Sequence, residues 1–227
     1  MAKKRGILIH PEEVGNYRAD ILVESDLNLV AIHPKGGVKA AETLNDMLEF
    51  VKTDTFLEFA EKVRNKGIEL EYEFHALSWL LDRKLYYTHK DWFRMNKDGE
   101  QVHDFNMCVS SRDALELIAE RAAELALKLP FNTDRYFFWI DDVKAFCQCP
   151  HCKVLTPSDQ AMIIYNHILK GIKTVNKNAS HCYLAYLDTI AAPKNVSPDA
   201  GIFLEYAPIL RDSNLLINDE NCVKNWE

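Results

Sequence analysis

Three cysteines crowd into six residues, Cys147-x-Cys149-x-x-Cys152, and two adjacent carboxylates, Asp141 and Asp142, stand just before them. Thiols this close in sequence can converge on one ion, because a tight knuckle brings their sulfurs together, and a structural zinc site wants four such ligands. Cys108 and His151 are the candidates for the fourth. Free thiols or a disulfide are the alternatives. A redox role has the spacing at Cys149 to Cys152 but not the surroundings of a thioredoxin-like motif. The carboxylate pair suits proton transfer or ligand binding, or a plain cap on the turn that follows. Glu205 lies in the otherwise apolar run IFLEYAP, where a lone carboxylate must be paired or used. Asp142 with Glu205 is the best acid–base pair, Asp188 is the reserve, and an ion pair with Arg211 is the structural alternative. His10, His33 and His75 each sit at the carboxyl end of an expected strand. They could gather on a metal, yet an amidohydrolase-type site wants His-x-His on its first strand, and position 8 is Leu.

These groups need a frame. Tyr136 to Ile140 is an unbroken aromatic and β-branched run, suited to a strand buried on both faces, and Asp141 and Asp142 mark its carboxyl end. In α/β folds that edge is where ligands bind. Further strands are expected at 5–10, 27–33, 68–76, 182–188 and 202–206. Of these, 68–76 alternates strictly between Ile68, Leu70, Tyr72, Phe74 and Glu69, Glu71, Glu73, His75. Taken alone the alternation reads as an exposed antiparallel strand; in a barrel the polar set would point inward. Helices are expected at 40–66 with a break at Lys52-Thr53-Asp54, at 112–129 after Ser110 or Ser111, and at 157–175, with Gly67 as a C-cap. The long aromatic stretch 78–111 reads as a functional loop. Strands alternating with helices give a parallel α/β fold, and polar residues at strand ends favour a (β/α) TIM-type barrel, truncated to about six βα units, over an open sheet. No G-x-G-x-x-G or Walker loop occurs, so an organic nucleotide cofactor has no support.

Composition sets the class. The 227 residues, 48% hydrophobic, suit a single domain over 1–227. A net charge of −7 without a basic run disfavours nucleic acid. The start MAKKRGILIHPEE carries too short an apolar stretch for a signal peptide or a membrane span. A cytoplasmic chain is the expectation, its six cysteines reduced, Cys182 and Cys222 among them.

The segments FHALSWLL (74–81), HKDWFRMNKDGE (89–100), FNMCVSS (105–111), FFWIDDV with CQCPHC, LAYLDT (184–189) and FLEYAPILRD (203–212) together resemble an uncharacterised bacterial glycoside-hydrolase-like barrel family. That family is similar to the barrels of α-glucuronidases and β-hexosaminidases. The resemblance implies a carbohydrate substrate and a glycoside hydrolase using paired carboxylates, with a non-catalytic sugar-binding or scaffold protein as the alternative. An acidic pair at this strand end supplies catalysis in the related hexosaminidases, which makes Asp141 and Asp142 candidates for the same position. Here the second acid is Asp where Glu is usual, a shorter arm. His10, His33 and His75 would then bond sugar hydroxyls, and Trp79, Trp92 and Tyr206 would stack on a ring face, although each aromatic is also core material. The segment FNMC, part of the resemblance, favours Cys108 as the fourth thiol. Six βα units would leave two unpaired strand edges, open to association.

Overall fold

The computed structural model describes residues 4–16, 19–209, 212, 214–216 and 219. Six strands, β1 (Gly6–Ile9), β2 (Leu29–Ile32), β3 (Glu69–His75), β4 (Arg135–Trp139), β5 (Ser180–Ala185) and β6 (Ile202–Tyr206), form one sheet in the order of the chain. Every neighbouring pair is parallel. Parallel neighbours need crossovers, and these carry α1 (Ala19–Glu24), α2 (Ala40–Phe50), α3 (Asp54–Asn65), α4 (Leu77–Leu80), α5 (Arg112–Ala126) and α6 (Pro157–Ile172). The result is a half-barrel with flanking helices.

Local sequence explains the boundaries. The expected break in the 40–66 helix is real: Thr53 lies outside helical geometry and caps α3 by accepting from the Phe56 N–H. Gly67, at φ +77°, turns the chain from α3 into β3. Thr156 and Asp159 form a reciprocal capping box at the start of α6, with Pro157 in the first turn. Ser111 sits at the N-cap of α5 without a side-chain cap bond, and the Ser110 hydroxyl turns instead to the Cys108 and Cys149 sulfurs.

The sheet has two packed faces. Outward residues such as Val30, Ile32, Tyr72, Phe74 and Phe138 join the main core beneath the helices, with Phe56 against Tyr72 at 6.3 Å between rings and Phe74 stacked on Phe138 at 5.1 Å. Inward residues Phe137, Trp139, Cys182 and Leu184 form a second cluster backed by Phe203. Parallel pairing between β2 and β4 settles the ambiguous strand β3 against the exposed antiparallel reading: of its polar set, Glu71 and Glu73 are covered, at 1% and 5% exposed, while Glu69 at the strand start stays exposed.

One crossover departs from the repeat. Between β5 and β6 lies only a 3-10 turn at Leu187–Thr189 and then irregular chain. Asp159, fully buried at the start of α6, holds that segment by accepting from the Lys194, Asn195 and Val196 N–H groups. Burial pulls its pKa upward, but the hydrogen bonds from Asn195 and Thr156 outweigh that and hold it well below the usual carboxylate range. No helix among the described residues is long and apolar enough to cross a membrane.

Candidate functional site

The three histidines that close β1, β2 and β3 stand side by side at the carboxyl end of the sheet. His10 and His33 have ring centroids 6.0 Å apart, and His33 and His75 6.3 Å. Each ring is fixed the same way: Nδ1 of His10, His33 and His75 lies 2.6 Å from the backbone oxygens of His33, Glu73 and Ile140, respectively. A carbonyl only accepts, so Nδ1 carries a proton, and in the neutral tautomer this selects, Nε2 is the acceptor. Burial pushes the pKa of His33 down, against the pull of the Glu73 carbonyl, and the neighbouring His75 and His10 push the same way. Trp139, at the end of β4, packs against this ladder with its ring 5.9 Å from His33 and 5.4 Å from His75.

Asp141 and Asp142 follow the end of β4 at Trp139 and diverge. Asp142 is half-buried beside the ladder: a Cβ placed on Gly36 would lie 3.0 Å from His75 Cδ2 and 3.9 Å from Asp142 Oδ2. Burial first, then the charge of Asp142, raises the Tyr186 pKa. Asp141 is 4% exposed and spent. One oxygen accepts from the Ser78 N–H and hydroxyl, at 3.1 and 2.7 Å, and the other from Arg83 and the Asn106 N–H, at 2.9 and 2.6 Å. The Asn106 side-chain oxygen accepts from the Asp141 N–H, and its amide N–H donates to the Ala145 carbonyl. Expected among the catalytic groups, Asp141 is in geometry the anchor that ties the 78–106 loop to the turn carrying Asp142.

The other expected site residues scatter. Asp188 lies in the 3-10 turn after β5, paired with Lys144 at 3.4 Å, and with His75, Asp141 and Tyr186 it lines a cavity of about 20 Å³, room for about one water. Glu205 points inward from β6, and Cys182 Sγ donates to it at 3.4 Å; burial raises its pKa. Arg211, its expected alternative partner, lies outside the described residues. Trp79 bonds Asn45 through its indole N–H and lines a groove between α2 and α4. Tyr206 lines another groove, on the helix side of β5 and β6. Both are away from the histidine ladder, because strand parity or helix placement turns them to the outer face. Trp92 packs on His89, 4.0 Å between ring centroids, and its carbonyl accepts from the Cys108 N–H.

Trp139, Tyr186 and Glu73 belong to this inner face and were not among the expected site residues. Glu73 had a signal, the inward option for its strand; Trp139 and Tyr186 read as core until register assigns their face.

The four thiols meet. Cys108, Cys147, Cys149 and Cys152 are buried, and their sulfurs all lie within 4.8 Å of one another. Cys108 Sγ is 3.7 Å from Cys149 Sγ and 3.8 Å from Cys152 Sγ. A tetrahedron of sulfurs at about 2.3 Å from a zinc ion has edges of about 3.8 Å, so the donor set fits a metal. His151 is exposed and is not among the four. Gln160, buried on α6, braces the knuckle by accepting from the Cys147 N–H and donating to the Cys147 and Cys152 carbonyls, and the Met95 N–H donates to Cys147 Sγ. Hydrogen bonds from Cys147 and then Cys152 push the Cys108 thiol down; the contact with Cys108 pushes Cys147 up to about 12, and those with Cys108 and Cys147 push Cys152 up. A divalent cation would let the remaining thiols ionise. Cys182 is also free, and Cys222 lies outside the described residues.

Comparison with solved structures finds a similar fold in a β-N-acetylhexosaminidase from Bacteroides fragilis NCTC 9343, with a TM-score of 0.57 and 13% identity over 90% of this chain and 45% of that one. A β-galactosidase from the psychrophilic Marinomonas ef1 gives a TM-score of 0.48 at 10% identity, covering 82% of this chain and 38% of that one. The chain thus spans less than half the length of either. Comparison with curated proteins gives no match. Residues 39–227 match the family described as a domain of unknown function, DUF4838, and the chain belongs to that family.

Proposed function

We propose that the ladder of His10, His33 and His75 with Asp142 beside it is the sugar-binding mouth of a glycoside-hydrolase-type barrel. The observation that carries this is three imidazoles whose Nδ1 atoms are each held by a backbone carbonyl, with Asp142 beside His75, at the ligand-binding edge of a parallel sheet. Sugar hydroxyls donate to such acceptors, and Trp139 supplies an apolar wall behind them. Glycoside hydrolysis needs one carboxyl to protonate the leaving oxygen and a second to act as base or nucleophile. Glu205, its pKa raised by burial, keeps its proton longer and suits the donor role, and Asp142 suits the other. Asp142→Asn and Glu205→Gln are each expected to abolish aryl-glycoside turnover with the fold intact by circular dichroism. A variant that keeps full turnover removes its residue from the assignment.

A second reading has its own support. The engagement of Asp141 by Ser78, Arg83 and Asn106 leaves Asp142 as the carboxylate of the pair that faces the ladder, and a sugar-binding protein needs no more. Titration calorimetry and aryl-glycoside turnover on one sample separate the two: binding with turnover supports the hydrolase, binding without turnover the binding protein.

For the thiol cluster we propose structural zinc, in a reduced compartment such as the cytoplasm. The ion would tie Cys108, at the entry to α5, to the knuckle after β4, without touching ligand in the mouth. Protein purified without added zinc is expected to contain about one equivalent, as four thiolates form a closed site, and a chelator is expected to lower the melting temperature. Four freely titratable thiols and no metal would leave four small buried residues in a loop.

A further inference from the structure

Resting on the sugar-binding reading above, we infer that the mouth selects a sugar bearing a free, protonated amino group over a neutral sugar, and rejects uronic acids. The groups that face the mouth accept hydrogen bonds and carry negative charge. The three imidazoles give their Nδ1 protons to backbone carbonyls, and their Nε2 atoms have no hydrogen-bond partner among the described residues. Asp142 stands at His75. Asp188 lines the adjoining cavity with His75.

The bases of the surrounding loops are taken. Lys144 pairs with Asp188 at 3.4 Å, Arg83 with Asp141 at 2.9 Å, and Lys35 with Glu12 at 2.5 Å. Deeper on the same inward face of β3, Glu73 is 5% exposed, and its Oε2 has no hydrogen-bond partner; Arg135, the base at that depth, is held by Glu71 at 3.2 Å. A carboxylate entering beside Asp142 would meet a like charge, with the nearest bases, Lys144 and Arg83, already paired. An ammonium brings three donors and no acceptor, which matches what the walls offer. A hydroxyl can also donate, so a neutral sugar binds, but with a weaker bond to Asp142, because hydrogen bonds to charged groups are the stronger class.

The test is titration calorimetry of the full chain at pH 7 with glucosamine, glucose, N-acetylglucosamine and glucuronate. Glucosamine is expected to bind about tenfold tighter than glucose, the size of one added charge-assisted bond, with N-acetylglucosamine near glucose and glucuronate without measurable binding. Added salt should weaken glucosamine and leave glucose unchanged. Asp142→Asn should bring glucosamine down to the affinity of glucose; if that variant does not fold, the wild-type series and its salt dependence decide alone. Glucuronate or glucose binding as well as glucosamine would overturn the inference and leave the sugar-binding reading standing. Absence of binding by all four would overturn both.

Discussion

Glu73 shows how far the interior of this half-barrel departs from an ordinary core. Burial, and the like charges of Glu205 and Glu71 after it, push its pKa from 4.5 up to about 8, with Arg135 only partly offsetting them. A raised carboxyl pKa means the folded protein keeps a proton that the unfolded chain has already released. Between about pH 4.5 and 8 the native state therefore binds more protons, and this contribution to stability falls as pH rises through that window and levels off above it. Glu73→Gln keeps the shape and removes the titration. Its melting temperature relative to wild type is expected to be higher at pH 9 than at pH 5, because the wild type alone must ionise a buried group. Melts in which the gap between the two proteins does not change with pH would mean that Glu73 is already ionised in the fold.

At the scale of elements, the pair α5 and α6 closes the outer layer over β4 and frames the thiol cluster, since Cys108 precedes one helix and Gln160 lies on the other. The two helices touch backbone to backbone at Gly171, where an added Cβ would lie 1.9 Å from the Ala119 carbonyl oxygen. Nothing flexible is available to move aside. Gly171→Ala, favourable by helix propensity alone, is expected instead to destabilise by on the order of 1–3 kcal/mol as α6 is forced off α5. Urea unfolding measures this, and an unchanged or higher midpoint would mean that the helices part without cost.

Across the whole molecule, the sheet runs from β1 to β6, and each of these two strands has one pairing neighbour among the described residues. Unpaired strand edges template association, and β6 also presents Leu204 at 66% exposure, with Leu8 of β1 at 48%. This chain, expressed alone, is expected to self-associate with rising concentration in light scattering. A monodisperse monomer across the same range would mean that the edges are protected by chain outside the described residues.

Sequence alone determined the kind of elements, because their signals are local: the apolar run of β4, the break at Thr53, the Gly67 turn and the capping box before α6 depend on residues within a few positions of each other. It also placed the three histidines and the acidic pair at strand ends, with the cysteine triplet in the loop that follows, since each stands at or shortly after an expected strand. Tertiary structure decided what these residues do with each other. Register buried Glu71 and Glu73 inside, an outcome that alternation by itself cannot distinguish from an exposed face. The loop fold brought Ser78, Arg83 and Asn106 onto Asp141 and so divided two neighbouring carboxylates into an anchor and a group that faces the histidines. Cys108 reached the other thiols across the length of α5, and Trp79 and Tyr206 were turned to the outer grooves, because which side of a sheet or helix meets the mouth is set by long-range packing and not by the spacing of residues along the chain.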